Sequence, residues 1–279
     1  MLARLRHLIV ATAVVAAVLP ASAAIAGPVG TTGGFVYERI DGYWYGDGGE
    51  FTLFNVTGVT NASYSNSSRN IVDNDNNELL ATAPSFQTFC LESSEAAAAS
   101  FYVVGSAAVS GGNERDPILL QDRISLGTAW LYSEFAKGTL NVAGGNYFGS
   151  GNRSQEADKL QKALWWLEGE HTNLDSLNNP YYRAAVEFFD TNNDNVWDKS
   201  FAQADAPVGY LGVYVLQNFR SASARDAFVQ DPMNRRERAQ DFLWYHNPPT
   251  VPDGGATVML LGGAMLAMGA LRRKLGPRV

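Results

Sequence analysis

A run of carboxylate and amide side chains at residues 190–198 has the spacing of a calcium-binding loop. Its oxygen donors fall at loop positions 1, 3, 5, 7 and 9, which are Asp190, Asn192, Asp194, the backbone carbonyl of Val196, and Asp198. Calcium is bound by oxygen ligands at this spacing. Position 12 is Phe201 instead of a bidentate glutamate, so an Asx-rich turn is the alternative interpretation. Residues 73–78 carry a weaker version of the same pattern.

The one cysteine of the chain, Cys90, lies in the tetrapeptide Phe-Cys-Leu-Glu, and Gln161 lies in Leu-Gln-Lys-Ala-Leu-Trp. A lone cysteine in an apolar segment is typically an inert core residue. A glutamine beside the apolar face of a helix is typically a surface residue. Neither residue by itself indicates chemistry. One cysteine also excludes an internal disulfide framework.

Together, the two segments resemble the thioester domains of bacterial surface adhesins. Those domains show an aromatic-Cys-aliphatic-acidic strand motif and a Gln-x-Ala-aliphatic-Trp helix motif. An Ala-Trp-Leu-Tyr helix is also found between the motifs in similar proteins, and residues 129–132 match it here. The resemblance implies that the Cys90 thiolate attacks the Gln161 amide, expels ammonia and leaves a thioester that a partner's amine can open. A shared fold with a buried free thiol is the alternative.

Residues suited to hydrolysis are scarce. His171 and His246 lack metal-ligand spacing, and no serine elbow is present. Glu168 and Glu170, which lie beside tryptophans on a predicted helix, are the best carboxylate pair for a glycosidase. We therefore expect a protein that is not an enzyme, with a secreted carbohydrate-active enzyme as the third interpretation.

The C-terminus combines three features in a fixed order. Residues 256–271 form an uncharged apolar run, somewhat shorter than the ~20 residues of a usual membrane span. The basic cluster that follows favours a cytoplasmic tip. The motif before the run and the cluster after it comprise Val251, Pro252, Asp253, Gly254, Gly255, Arg272, Arg273 and Lys274.

This tail resembles the PEP-CTERM class of bacterial sorting signals, and its variant Val-Pro-Asp-Ser-Gly in particular, with Gly254 in place of the serine. The resemblance implies a Gram-negative envelope, recognition by an exosortase, which is a membrane cysteine transpeptidase, and cleavage near residues 251–255. Transient inner-membrane anchoring, and then release or attachment at the cell surface, would follow.

The N-terminus predicts export. Residues 1–26 contain two arginines, then the apolar stretch 8–19, then small residues that allow cleavage after Ala23 or Ala26. These are the three parts of a secretory signal peptide. The export machinery and the exosortase are thus the expected processing partners.

Composition agrees with an exported protein. The formal net charge is −7 without a basic stripe, which argues against nucleic acid as a partner. Charged residues make up 18% of the chain and glycine is plentiful, with 27 residues, as in secreted β-rich proteins with many turns. The aromatic segments 43–45 and 244–245 suit either stacking on an extracellular polysaccharide or a sandwich core.

Periodicity divides the body, residues 27–247, into strands and helices. Segments rich in β-branched and aromatic residues predict strands at 34–40, 50–59, 85–92, 101–109, 208–219 and 239–245. Apolar residues at helical spacing predict three helices, from Asp122 to Gly138, from an N-cap at Ser154 to Gly169, and from Asn179 to about Phe189.

This element order predicts an α+β fold, a β-sandwich or barrel-like body that carries a helical insert at about residues 120–190. Residues 248–279 form the sorting signal. The expected function is that of an exported envelope or extracellular-matrix protein whose body is a structural or binding module. A covalent thioester adhesin that joins a surface protein is the second interpretation.

Overall fold

The computed structural model describes residues 28–39, 41–44, 46, 48–59, 86–97, 100–108, 121–149, 152–170, 178–190 and 199–246. Four predicted segments lie outside these residues. They are the signal peptide, the weaker calcium pattern at 73–78, residues 191–198 of the calcium loop, and the sorting tail. None of the helices within the described ranges has the length and apolar character needed to cross a membrane.

Eleven strands, five α-helices and one short 3-10 helix (Tyr210–Gly212) make up the described elements. The strands are β1 (Thr32–Gly34), β2 (Val36–Glu38), β3 (Phe51–Phe54), β4 (Phe86–Thr88), β5 (Phe101–Gly105), β6 (Ala107–Ala108), β7 (Asp122–Arg123), β8 (Asn141–Val142), β9 (Gly145–Asn146), β10 (Val213–Phe219) and β11 (Arg238–Tyr245). The helices are α1 (Leu126–Lys137), α2 (Arg153–Leu167), α3 (Pro180–Phe189), α4 (Lys199–Ala202) and α5 (Ala222–Gln230).

The larger sheet has four antiparallel strands in the order β1-β5-β10-β11. Val215 of the central strand β10 pairs with Gly105 of β5 on one side and with Leu243 of β11 on the other. All seven residues of β10 are buried. A strand covered on both faces is expected to be apolar throughout rather than alternating, as the sequence of β10 largely is.

The second sheet is antiparallel and has the order β2-β3-β4. The segment after β4 leaves this sheet and pairs with β11 of the larger one through an antiparallel bridge between Cys90 and Phe242. Two backbone hydrogen bonds flank that bridge: Leu91 N donates to Asp241 O (3.1 Å), and Leu243 N donates to Phe89 O (3.3 Å). Cys90 therefore lies where the two sheets meet.

The α+β class is confirmed, but the barrel-like alternative is wrong for the described residues. Closure of a barrel requires a continuous ladder of paired strands around its circumference. The described strands instead form two main sheets and two short two-stranded sheets, one of β6 and β7 and one of β8 and β9. The two main sheets and helices α1 to α4 share one hydrophobic core, whereas Ala224 and Phe228 of α5 form a second, small cluster with Val103 and Phe219.

The three predicted helices are present, but the predicted start of the first at Asp122 is wrong, because Asp122–Arg123 forms β7. Helix α1 begins after Ser125, whose Oγ accepts from Thr128 N (3.1 Å), and ends at Gly138, whose φ of 77° is the left-handed conformation of a glycine C-cap. Helix α3 begins after Asn179, whose side chain accepts from the amides of Tyr181 and Tyr182.

The predicted N-cap of α2 is wrong. Asn152 is the N-cap residue, although its side chain makes no capping hydrogen bond, and Ser154 lies inside the first turn. Two helices were not predicted, α4 and α5. Only Ala224 and Phe228 of α5 are buried, one pair at i and i+4, so its sequence shows little of the periodicity by which helices are recognised.

Candidate functional site around Cys90

Cys90 is held in an extended segment with its backbone polar groups facing away from β11. The hydrogen bonds to β11 are made by Phe89 and Leu91, so Cys90 and Phe242 form a non-hydrogen-bonded antiparallel pair. In such a pair the N–H and C=O groups of both residues point outward from the ladder. Cys90 is only 4% exposed, so these two groups need partners within the protein.

Gln161 of α2 supplies both partners. Cys90 N donates to Gln161 Oε1 (3.0 Å), and Gln161 Nε2 donates to Cys90 O (2.9 Å). Gln161 itself is 1% exposed. The structure thus brings together the two residues that the motifs singled out, although they are separated by 71 positions in the sequence.

Gly48 covers the Gln161 side chain from the other side. A Cβ atom at Gly48 would lie 2.3 Å from Gln161 Cγ and 2.7 Å from Trp165 Cη2. No side chain other than hydrogen fits at such distances. The backbone of the segment around Gly48 therefore lies directly on the glutamine and shields it from water.

A cavity of about 390 Å³ lies beside Cys90. Its wall combines apolar, aromatic and charged side chains. It is lined by Tyr37, Arg39, Phe51, Cys90, Glu92, Ser93, Glu95, Ala96, Ala97, Trp165 and Gln240. Cys90 and Gln240 are deeply buried, whereas Ala96 is exposed, so the cavity reaches from the thiol side to the surface.

Gln240 is a second glutamine close to Cys90, and it was not predicted. Gln240 lies two residues before Phe242, the bridge partner of Cys90, where the register of β11 shifts, and it lines the same cavity as Cys90. The one signal in the sequence is a polar Gln-Asp dipeptide inside an otherwise apolar strand, where buried polar groups require specific partners.

Glu92 is the hydrogen-bond partner of Gln240. Gln240 Nε2 donates to Glu92 O (2.6 Å) and to Glu92 Oε2 (3.1 Å), and Asp241 N donates to the same carboxylate oxygen (3.1 Å). Glu92 is 2% exposed. Its second oxygen, Oε1, has no hydrogen-bond partner among the described residues.

The surroundings of Glu92 raise the pKa of its carboxyl group. Burial is the largest cause that raises the pKa of Glu92, and the neighbouring carboxylates of Asp241 and Glu95 raise it further, whereas Arg238 lowers it. Arg238 Nη2 donates to Asp241 Oδ2 (2.7 Å), and Asp241 Oδ1 accepts from Asn218 N (2.8 Å). Asp241 is thereby engaged in its own ion pair.

The thiol of Cys90 is protonated at neutral pH. Burial raises its pKa well above the ordinary value, the carboxylate of Glu92 raises it further, and Arg39 offsets part of this effect. Activated cysteines in proteins have lowered pKa values and are partly exposed. Attack by this sulfur would accordingly require a nearby group that removes its proton.

Helix α1 completes the surroundings of the site. The Tyr132 hydroxyl, in the predicted Ala-Trp-Leu-Tyr segment of α1, donates a shared hydrogen bond to Gln87 O (3.1 Å) and Leu243 O (3.0 Å). These carbonyls belong to the two strands that meet at Cys90. Helix α1 thus fastens the junction that carries the thiol.

The glycosidase pair has structural partners. Glu168 Oε1 accepts from Ser125 N (3.0 Å), at the start of α1, and Glu170 Oε2 accepts from Ser93 N (3.1 Å).

Of the predicted calcium ligands, only Asp190 lies in the described residues, where it is the C-cap of α3. The calcium site stays a prediction. Within the described ranges no group of three or more metal-ligating side chains is found.

Comparison with known proteins identifies the tail. The family model of the VPDSG-CTERM motif matches residues 250–275. Neither the curated proteins nor the solved structures include a match to this chain. The chain carries a VPDSG-CTERM sorting motif, as the sequence predicted. That motif implies an exported protein with a transient membrane anchor and processing by an exosortase. The resemblance of the body to thioester domains has no support from these comparisons.

Proposed function

We propose that this protein is exported in a Gram-negative bacterium, cut by an exosortase near residues 251–255, and then released from or attached to the cell surface. The family match over residues 250–275 carries this proposal. The body would then act outside the inner membrane as a structural or binding module of the envelope or matrix. Its aromatic-rich cavity and its large buried core suit a folded module of that kind.

A second candidate function is favoured by the arrangement around Cys90. We propose that the body forms an internal thioester between the Cys90 sulfur and a glutamine side chain. The observation that carries this proposal is the placement of Cys90 and Gln240 at the strand junction, where both line the same cavity. A stored electrophile there could be reached by a partner's amine.

Gln240 suits the bond better than Gln161, the glutamine indicated by the motif resemblance. Both polar atoms of the Gln161 amide are engaged with the Cys90 backbone, and a bond to sulfur would sacrifice these two hydrogen bonds. Side chains of a strand point roughly perpendicular to the plane of its backbone hydrogen bonds. The Cys90 thiol therefore points away from the plane that contains the Gln161 amide. Gln161 is therefore assigned a positioning role and Gln240 the acyl role.

The proposed reaction is balanced without an added reagent. The Cys90 sulfur attacks Cδ of Gln240, a C–S bond forms, the C–N bond breaks, and the thiol proton leaves with the nitrogen as ammonia. Opening by a primary amine forms an amide, breaks the C–S bond and returns a proton to sulfur. Phe89 and Leu91, the chain neighbours of Cys90, are both buried.

Intact mass of the purified mature protein tests the thioester. We expect one ammonia less than the sequence requires, a thiol that resists alkylation after unfolding, and restoration of both by methylamine. Cys90→Ala and Gln240→Glu should abolish the mass deficit, and Gln161→Ala should lower the fraction that carries it. A deficit kept in Gln240→Glu but lost in Gln161→Ala would assign the bond to Gln161. A full mass with one titratable thiol would show an inert buried cysteine.

A further inference from the structure

The proposed thioester poses a proton problem. A neutral thiol is a weak nucleophile, and an amide nitrogen leaves only after it has been protonated. The Cys90 thiol is neutral in this site because of its burial. A single group that takes the proton from sulfur and gives it to nitrogen would solve both difficulties.

We infer that Glu92 is this group, the general base and acid of thioester formation at Cys90. The inference rests on the thioester proposed above. Glu92 Oε2 accepts a hydrogen bond from Gln240 Nε2, the nitrogen that must leave, at 3.1 Å. Cys90 and Glu92 are two positions apart in the chain and line the same cavity.

Other charged groups near the cavity are less suited. Arg39 stays protonated and cannot accept a proton from sulfur. Asp241 accepts hydrogen bonds from Arg238 and from the Asn218 amide at its two oxygens. The Gln240 amide makes its contacts with Glu92, whereas Glu95, which is half-buried, lines the cavity beside them.

Glu92 also has the properties that a proton carrier requires. Its Oε1 is buried and has no hydrogen-bond partner among the described residues, so one oxygen is open to receive a proton. Burial raises its pKa, which brings its affinity for a proton closer to that of the thiol. A general acid-base works best when its pKa lies near the operating pH.

The step leaves Glu92 unchanged. Its carboxylate takes the Cys90 proton as the C–S bond forms, and its carboxylic acid then protonates the Gln240 nitrogen as the C–N bond breaks. In the reverse direction it takes a proton from an attacking amine and returns one to sulfur. The same residue would thus serve both formation and opening of the thioester.

The rate of thioester re-formation tests this role. Ammonia opens the thioester and regenerates Gln240 and the thiol. After ammonia is removed by buffer exchange, mass and thiol titration follow the closure with time. We expect Glu92→Gln to close roughly 100-fold or more slowly than the natural protein, the range typical of a lost general acid-base. Glu92→Asp keeps a carboxyl group, so its closure rate should lie between those of Glu92→Gln and the natural protein.

Glu170→Gln is the matched control, because Glu170 hydrogen-bonds Ser93 next to Glu92 but does not line the cavity. It should close at the natural rate. Closure of folded Glu92→Gln at the natural rate would overturn the role of Glu92 while leaving the thioester intact. If Glu92→Gln does not fold, the rate of Glu92→Asp decides in the same way. A natural protein without the mass deficit would instead refute the thioester itself.

Discussion

The Gln161 side chain forms two hydrogen bonds with the backbone of Cys90. These are the hydrogen bonds that a neighbouring strand would otherwise make. A helix side chain thereby completes the pairing of an extended segment whose other edge is bound to β11. Cys90 is held between a sheet and a helix, with its backbone fully satisfied and its thiol beside a cavity. The relationship explains why a buried glutamine is present on the apolar face of α2.

Gln161→Ala should destabilise the fold by about 2–4 kcal/mol, because it leaves a buried N–H and a buried C=O without partners at ~1–3 kcal/mol each. Urea denaturation measures the change in the free energy of unfolding. The control is Gln155→Ala, an exposed glutamine on the same helix, which should change it by less than about 0.5 kcal/mol. Equal effects of the two substitutions would contradict the proposed role.

Gly48→Ala should destabilise the protein by about 1–3 kcal/mol through overpacking against Gln161 and Trp165. A double-mutant cycle with Gln161→Ala identifies the clash. Because that substitution removes Cγ, the nearest atom to the added methyl group, the cost of Gly48→Ala should be smaller in its background. The same cost in both backgrounds would show that the glycine serves another purpose.

The stability of the protein should depend on Glu92 in a pH-dependent way. Burial raises the pKa of Glu92 in the folded state above its unfolded value of ~4.3. At a pH between these two pKa values the folded state therefore binds more protons than the unfolded state. The free energy of unfolding therefore falls as pH rises above ~4.3, by up to about 1.4 kcal/mol per pH unit until the folded pKa is passed. Below both pKa values this penalty is absent.

Glu92→Gln removes the titration and tests that sign. Its carbonyl oxygen can still accept from the Asp241 amide and from Gln240. The stability of the variant relative to the natural protein should increase between about pH 4 and pH 7. Urea denaturation across this range gives the comparison, with Glu170→Gln as the control. A difference that stays constant with pH would mean that Glu92 ionises at its ordinary pKa.

The sorting motif predicts loss of the tail in a host with the matching exosortase. Mass analysis of the mature protein should end near residues 251–255, and Asp253→Ala should leave a membrane-retained form with its tail. Asp226→Ala, an exposed aspartate outside the motif, should be processed normally. A mature chain that keeps Arg272 and Lys274 in that host would contradict the prediction.

The calcium loop at residues 190–198 predicts a higher melting temperature when calcium is present, through ligand linkage. Asp194→Ala should abolish that gain, whereas Asp75→Ala, in the weaker pattern, should leave it unchanged. Differential scanning calorimetry with calcium and with chelator measures both. Identical melting curves of the natural protein under the two conditions would rule out the site.

The sequence was informative wherever short-range rules apply. Gly138 caps the end of α1, and α3 begins at Pro180 after the N-cap Asn179, as predicted, because capping and left-handed glycine act within one turn. The tail was recognised from a contiguous motif, and the family match agrees. The prediction of Ser154 as the N-cap of α2 failed because serine is compatible both with an N-cap and with the first turn. The two positions differ in backbone conformation, which the residue type does not specify.

The sequence by itself determined the α+β class, the positions of the main elements and the sorting tail, because each depends on periodicity or motifs within a few residues. The motif resemblance also singled out Cys90 and Gln161, which the fold brings into contact. Only the tertiary structure decided that Gln240 and Glu92 lie beside the thiol. Their placement depends on the register between the segment after β4 and β11, about 150 residues away, and such a register is selected by the packing of the whole core.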